Sequence, residues 1–252
     1  MRRTRLFFGA LAATATMGAA TAAFVPLAPA GAGGSATITV NTTDDENNDD
    51  GDCSLREAVE AANTDGVVDA CVQGQGNDTI VIPAGTYEFD PAGDGEIAVA
   101  TNIAFEGAGA STTIIDAKQV SRVFFVGTQG SLTVSFDDLT ITGGLADDDD
   151  GGGGIYAFDT ALTVTNSVVT GNEASGDGGG IRNEAVGSSL QIENSVISEN
   201  TAAQDGGGIE QNNDDTTLTI VDSTISGNTA ASEGGGIHID DVATTTLTGT
   251  TI

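Results

Sequence analysis

Tryptophan is absent from this 252-residue chain, tyrosine occurs twice, and aromatic residues make up only 4% of it. A globular core usually rests on a few large aromatic anchors, so this composition points to many small, similar layers. Histidine occurs once and cysteine twice, and two cysteines without neighbouring histidines speak against zinc. Basic residues are scarce as well: seven Lys and Arg stand against 37 Asp and Glu. Such a surface repels nucleic acid and anionic lipid and favours solubility and cation association. Partners are expected to be neutral, cationic or metal-bridged, although solvation in a salty habitat would produce the same acidity.

A long apolar stretch, Leu6 to about Val25, follows Met1-Arg2-Arg3-Thr4-Arg5 and precedes Ala28-Pro29-Ala30. This is the pattern of a signal peptide, residues 1–30, cleaved after Ala30. Its Ala, Thr and Gly content and the small-residue site speak against the alternative, a single-pass membrane helix. The mature chain is then expected to be secreted or held at the cell surface, with Cys53 and Cys71 bridged. It keeps Arg56, Lys118, Arg122 and Arg182 against 37 carboxylates, a net charge of about −33 once the leader is removed.

What the sequence does contain is repetition. Leu162-Thr-Val-Thr-Asn-Ser-Val-Val-Thr-Gly-Asn172 recurs as Leu190-Gln-Ile-Glu-Asn-Ser-Val-Ile-Ser-Glu-Asn200 and Leu218-Thr-Ile-Val-Asp-Ser-Thr-Ile-Ser-Gly-Asn228, each start 28 residues after the last. A second landmark, Gly-Gly-Gly-Ile, ends at Ile155, Ile181, Ile209 and Ile237 and keeps nearly the same phase. Inside each repeat apolar and polar residues alternate, which is strand geometry with one buried face. No repeat segment is long enough for an α-solenoid, and a propeller blade needs more residues. The expected fold is an all-β right-handed parallel β-helix of roughly six coils, with equivalent residues about 4.8 Å apart. Leu162, Leu190 and Leu218 should form one interior column, and Val164, Ile192, Ile220 and Leu247 another. Asn172, Asn200 and Asn228 should form a structural ladder, with left-handed backbone at the corner and amides bonded along the axis. The triple glycines supply positive φ and close approach; no Lys and helix follow them, which excludes a phosphate loop.

Residues 31–78 precede the coils, which occupy 79–252. Ser54 and Glu57 form a capping box before an apolar face of Leu55, Ala58, Val59 and Ala62, a short helix that must pack on something, the open end of the first coil being the obvious surface. Cys53-Ser54-Leu55-Arg56-Glu57-Ala58 resembles the signature of the CSLREA domain, found near the start of exported bacterial and archaeal proteins, and Asn77-Asp78-Thr79-Ile80 to Tyr87 is similar to the same family. Gly-Gly-Gly-Ile, with Val169-Thr-Gly-Asn172, Ile197-Ser-Glu-Asn200 and Ile225-Ser-Gly-Asn228, resembles the repeats of polymorphic outer membrane proteins, with Gly for Ala and an aliphatic residue for Phe. These resemblances imply a pectin-lyase-like β-helix. Ile252 falls in mid-coil, in phase with Ile225, so the chain is expected to be part of a longer one.

The fold admits polysaccharide lyases and hydrolases, which need a base beside calcium ligands or a cluster of acids. Arg182 shares a column with Tyr156, Glu210 and His238; alternation turns it outward, where an ion pair between Arg182 and Glu210 is the plainer account. His238 has Asp240 and Asp241 for neighbours, and Asp116, Asp137 and Asp138 add little. No catalytic residue is assigned, and the expected role is a scaffold for adhesion, envelope architecture or ligand display, facing extracellular carbohydrate or a cell-surface protein; a carbohydrate-active enzyme is the alternative.

Calcium is the one cofactor suggested. Glu46, Asn48 and Asp50, then Gly51 and Glu57, mimic an EF-hand loop, although Glu57 is already claimed by the capping box. Gly74 to Ile80 mimics a single calcium-roll nonapeptide, which is not enough for a roll. Asp177, Asp205 and Glu233 each precede a triple glycine and should stack, so either the turn amides or a hard cation must offset their repulsion.

Overall fold

The computed structural model describes residues 34–127, 130–148, 150–240 and 243–252. The expected leader, 1–30, and Asp241, a suggested neighbour of His238, lie outside them. Among the described residues no helix is long and apolar enough to cross a membrane.

Each regular coil runs through four short strands, and like strands of successive coils pair in parallel. One coil consists of Ser189–Glu193, Val196–Ser198, Thr201–Ala202 and Ile209–Gln211. Stacking builds an eight-stranded sheet I (Thr37–Thr39 through Ala243–Thr248) and a six-stranded sheet II (Gly85–Glu88 through Thr224–Ser226). It also builds a four-stranded sheet III (Leu145–Ala146 through Thr229–Ala230) and a six-stranded sheet IV (Ile97–Val99 through Ile237–Ile239). The parallel solenoid expected from the 28-residue period is present.

Both expected columns stack in register, but Leu247, in the last coil, is 46% exposed and not interior as expected. Leu162, Leu190 and Leu218 are register partners, none more than 1% exposed. Val164, Ile192, Ile220 and Leu247 are also in register, with Phe136 continuing the column upstream. Ile141, Val169, Ile197 and Ile225 line sheet II, and a bridge between Thr224 and Thr251 keeps Ile252 in their phase. Each buried aliphatic side chain contributes about 1.5–3 kcal/mol, summed over coils that could not bury it alone.

The core is less uniform than the composition implies. Phe105, Phe124 and Phe136 cluster with ring centroids 4.8 to 5.4 Å apart. They sit where the period loosens: Phe136 pairs with Phe105 across 31 residues, against 28 from Val164 to Ile192. A longer coil encloses more interior, and aromatic rings fill it.

The amino-terminal helix α1 spans Leu55–Thr64 and buries Leu55, Ala58, Val59 and Ala62. Its Asn63 amide fastens it to the first coil, donating to the Ala98 carbonyl and accepting from Ala100 N–H, both at 2.8 Å. Thr37–Thr39, counted with the cap in the sequence, is the first strand of sheet I, paired with Thr79 to Val81.

At the corner after sheet II the left-handed residue is the one before each asparagine, namely Gly171, Glu199 and Gly227 with φ of 65°, 54° and 67°. The asparagines themselves turn inward. This corrects the expected backbone role of Asn172, Asn200 and Asn228 while leaving their ladder intact. The triple glycines divide their work: Gly178 has a φ of 64°, whereas a Cβ on Gly180 would lie 2.6 Å from the Gly208 carbonyl oxygen of the next coil.

Candidate functional site

The asparagine ladder is built from Asn172 Nδ2–H donating to Asn200 Oδ1 and Asn200 Nδ2–H donating to Asn228 Oδ1, each at 3.0 Å. The same oxygens accept the backbone N–H of Asn172 and Asn200, at 3.0 and 2.9 Å. The amide donors of Asn172 and Asn200 are all occupied, so these rungs are structural. A second ladder, part of the repeated Asn-Ser string, stands at the corner between sheets I and II: Ser167 N–H donates to Ser195 Oγ and Ser195 N–H to Ser223 Oγ, both at 3.1 Å. Asn166, Asn194 and Asp222 just before it supply the left-handed backbone, with φ near 50°.

The outward column of sheet IV differs most from expectation. Tyr156, Arg182 and Glu210 are in register and point away from the interior, yet they are 7%, 8% and 2% exposed. Alternation alone predicted a solvated ion pair. The preceding turn folds back over the column: a Cβ on Gly178 would meet Arg182 Cβ at 2.8 Å, and one on Gly206 would meet Glu210 Oε2 at 2.8 Å. Arg182 pairs with Asp177 and Glu184 at 3.5 and 3.2 Å, and its Nη1 donates to the Asp150 carbonyl at 2.6 Å. The partner of Glu210 is His238, whose Nδ1 lies 2.8 Å from Glu210 Oε2. Burial, outweighing the attraction of His238, pushes the Glu210 carboxyl up to about 6. His238 is also raised: burial alone would lower it, but the charge and hydrogen bond of Glu210 prevail. The Tyr156 phenol is raised by burial and then by the charge of Glu184.

Arg122 continues this crease, 5% exposed, with Nη2 2.8 Å from Asp148 and its guanidinium 5.3 Å from the Tyr156 ring centre. Arg56 is 8% exposed, paired with Asp45 and stacked on Phe89. All three arginines of 34–252 therefore spend their charge inside the protein.

Asp177 Oδ1 accepts Asp205 N–H at 3.0 Å, and Asp205 Oδ1 accepts Glu233 N–H at 2.7 Å. The turn amides thus offset the repulsion that stacking creates. In the preceding coil Gly151 occupies the equivalent place, since Ile155 pairs with Ile181.

At the cap, Cys53 and Cys71 are bridged, with Cα atoms 4.9 Å apart. The capping box forms: Ser54 Oγ accepts Glu57 N–H at 3.2 Å and Glu57 Oε2 accepts Ser54 N–H at 2.9 Å. Glu57 Oε1 accepts Asn48 N–H at 3.1 Å, so Glu57 is not free to be a twelfth-position ligand. The Asn48 amide donates to Glu46 Oε2 at 2.6 Å. The carboxylates that converge are Glu46, Asp50 and Asp52, with ligand atoms within 4.8 Å of one another. Partial burial, then the neighbouring acids, raise the carboxyls of Glu46 and Asp52. Among the described residues these three are the ones whose geometry could hold a hard cation.

The outer face of sheet I is of another kind. Its central column runs Thr79, Ala104, Ser135, Thr163, Gln191 and Thr219 in continuous register. The column beside it runs Asn102, Thr133, Ala161, Ser189 and Thr217. Neither carries a charge. A shallow groove of about 380 Å³ opens where they begin, lined by Asn77, Thr79, Asn102, Ala104, Thr133 and Ser135 together with the buried Asp78 and Ile103. The family described as right-handed β-helix region matches residues 126–252. The chain belongs to the right-handed β-helix family. No curated protein and no solved structure matches this β-helix.

Proposed function

We propose that this β-helix is a secreted or cell-surface scaffold that displays the outer face of sheet I to a neutral, hydroxyl-rich extracellular ligand, a polysaccharide chain being the chemistry that fits. The observation that carries this reading is the absence of charge from the two registered columns, in a chain with 37 acidic residues. Ser, Thr and Asn side chains at about 4.8 Å intervals offer donors and acceptors to a repeating ligand without the desolvation cost of burying charge. Glu106, Asp137 and Glu193 border the face at the next outward position and would discourage acidic chains. We take the leader to be an export signal and the α1 region to be a CSLREA-type cap on a pectin-lyase-like stack.

Binding without turnover is the expected behaviour. Arg182, Glu210 and His238, the residues an enzyme would most readily use, lie on sheet IV, with Arg182 and Glu210 buried in ion pairs. The test is co-sedimentation of the protein with an insoluble neutral polysaccharide and with polygalacturonate. Retention on the neutral polymer, lost in Thr163→Glu with Thr219→Glu, supports display. New reducing ends or ultraviolet-absorbing unsaturated products would overturn it in favour of an enzyme.

A further inference from the structure

The interior of the β-helix is apolar along most of its length, but at one corner, between sheets IV and I, two successive coils place polar side chains inside it. The inward column Val126, Ala157, Asn183, Gln211 changes from aliphatic to amide at Asn183, and all four residues are 0% exposed. Across the corner a hydroxyl column precedes the Ala161, Ser189, Thr217 register: Thr160, Ser188 and Thr216, 0%, 3% and 1% exposed. The two columns adjoin, because Thr160 Oγ1 donates to the Phe158 carbonyl, next to Ala157, at 3.0 Å.

Thr160 is satisfied by that bond, but its successors are not. Asn183 Nδ2–H donates to Gln211 Oε1 at 3.1 Å, which joins the coils. Asn183 Oδ1, Gln211 Nε2, Ser188 Oγ and Thr216 Oγ1 are each buried without a hydrogen-bond partner. A native interior rarely leaves one such atom unpaired, let alone four around one corner. Their chemistry is complementary: one carbonyl oxygen that can only accept, one amide N–H that can only donate, and two hydroxyls that can do either.

We propose that this corner is a water-binding site, in which one internal water accepts from Gln211 Nε2 and donates to Asn183 Oδ1 while the hydroxyls of Ser188 and Thr216 complete its four bonds. A buried water makes about three hydrogen bonds to polar groups that otherwise lack them, and this set supplies two acceptors and two donors. A metal cation does not fit, because it cannot accept the amide N–H. The water links two coils at a point where neither amide column nor hydroxyl column closes by itself, and the site goes beyond the display role assigned to the outer face.

The test is a high-resolution crystal structure of the chain, together with ¹⁷O relaxation dispersion in solution, which counts long-lived internal waters. The expected result is a single peak within about 2.7–3.2 Å of Asn183 Oδ1 and Gln211 Nε2. The dispersion amplitude should fall by one water in Asn183→Leu with Gln211→Leu, and exchange should be faster in Thr216→Val, which keeps the volume and removes the hydroxyl. Amides rotated to bond the hydroxyls directly, with no peak, would overturn the proposal, as would a peak ringed by oxygen atoms alone at cation distances. Should the double variant not fold, the unmodified protein's crystal decides by itself.

Discussion

Asn172 and Asn200, 28 residues apart in sequence, are joined by two bonds to one oxygen: Asn200 Oδ1 accepts both the side-chain and the backbone N–H of Asn172 at 3.0 Å. Asn200 in turn gives its own amide hydrogens to Asn228 Oδ1 and to the Val169 carbonyl, each at 3.0 Å. Removing the middle rung therefore strands partners on both sides. Asn200→Ala is expected to cost about 2–4 kcal/mol, since each buried group left unpaired costs about 1–3 kcal/mol. Asn228→Ala should cost less, its bonds being only part-buried. Urea unfolding with an unchanged m value checks both; a loss below about 0.5 kcal/mol for Asn200→Ala would place the ladder's strength elsewhere.

The pair of buried Glu210 and part-buried His238 predicts a pH dependence. Glu210 is raised to about 6 from an ordinary 4.5, so its contribution is fully present below about pH 4.5 and is lost as pH climbs to about 6. His238 is raised from 6.5, so its contribution holds below that value and is lost as pH passes its higher folded value. Both effects make the protein less stable as pH rises, first from 4.5 to about 6 through Glu210 and then above 6.5 through His238, with the Glu210 part worth about 2 kcal/mol. Thermal unfolding at fixed ionic strength is the measurement. Glu210→Gln should flatten the curve; the same slope in that variant would show that the remaining acids cause it.

The bridge from Cys53 to Cys71 closes a separation of 18 residues. In the loop-entropy account its loss costs about 3 kcal/mol. The cost should be local as well as global, because α1 alone is too short to persist. Cys53→Ala with Cys71→Ala is expected to lower the unfolding midpoint and to speed amide exchange in Leu55–Thr64 before it does so in sheets I and II. Uniform acceleration everywhere would mean that the helix and the coils unfold as one unit.

Asp205 separates two accounts of the acidic column before the glycine turns. Because Asp205 Oδ1 serves the Glu233 N–H and its own N–H is bonded to Asp177, Asp205→Asn keeps the acceptor and should change stability by less than about 0.5 kcal/mol. Asp205→Ala removes it and should cost about 1 kcal/mol. Calcium and ionic-strength-matched NaCl should then raise the melting temperature equally through screening. A larger calcium effect that vanishes in Asp205→Asn would instead make the column a cation site.

Much of this was legible from the repeat. Two landmarks with one period place Leu162, Leu190 and Leu218 in a column without any knowledge of tertiary structure, because parallel stacking converts equal spacing into equal position. The capping box at Ser54 and Glu57 was readable for a similar reason: every atom it needs lies within four residues. The burial of Arg182 was not. Period-two alternation says which side of a strand a residue occupies, but not whether a neighbouring turn covers that side. Asn183 and Gln211 were equally silent, since the signal sought at inward positions was an apolar one. Asp52 escaped notice because the spacing rule looked for alternate residues of one loop template, whereas a metal-like cluster depends on where the side chains converge.

The sequence by itself determined the stacked parallel architecture, the members of its interior columns, the asparagine ladder and the amino-terminal cap, since all of these follow from local patterns repeated at one interval. Only the tertiary structure decided which outward residues are solvated and which are covered, that Asp177 and Asp205 are relieved by turn amides, and where the chain keeps an uncharged face. Those outcomes depend on the path of the corners between strands, and corner geometry is set by contacts between coils that no single repeat contains.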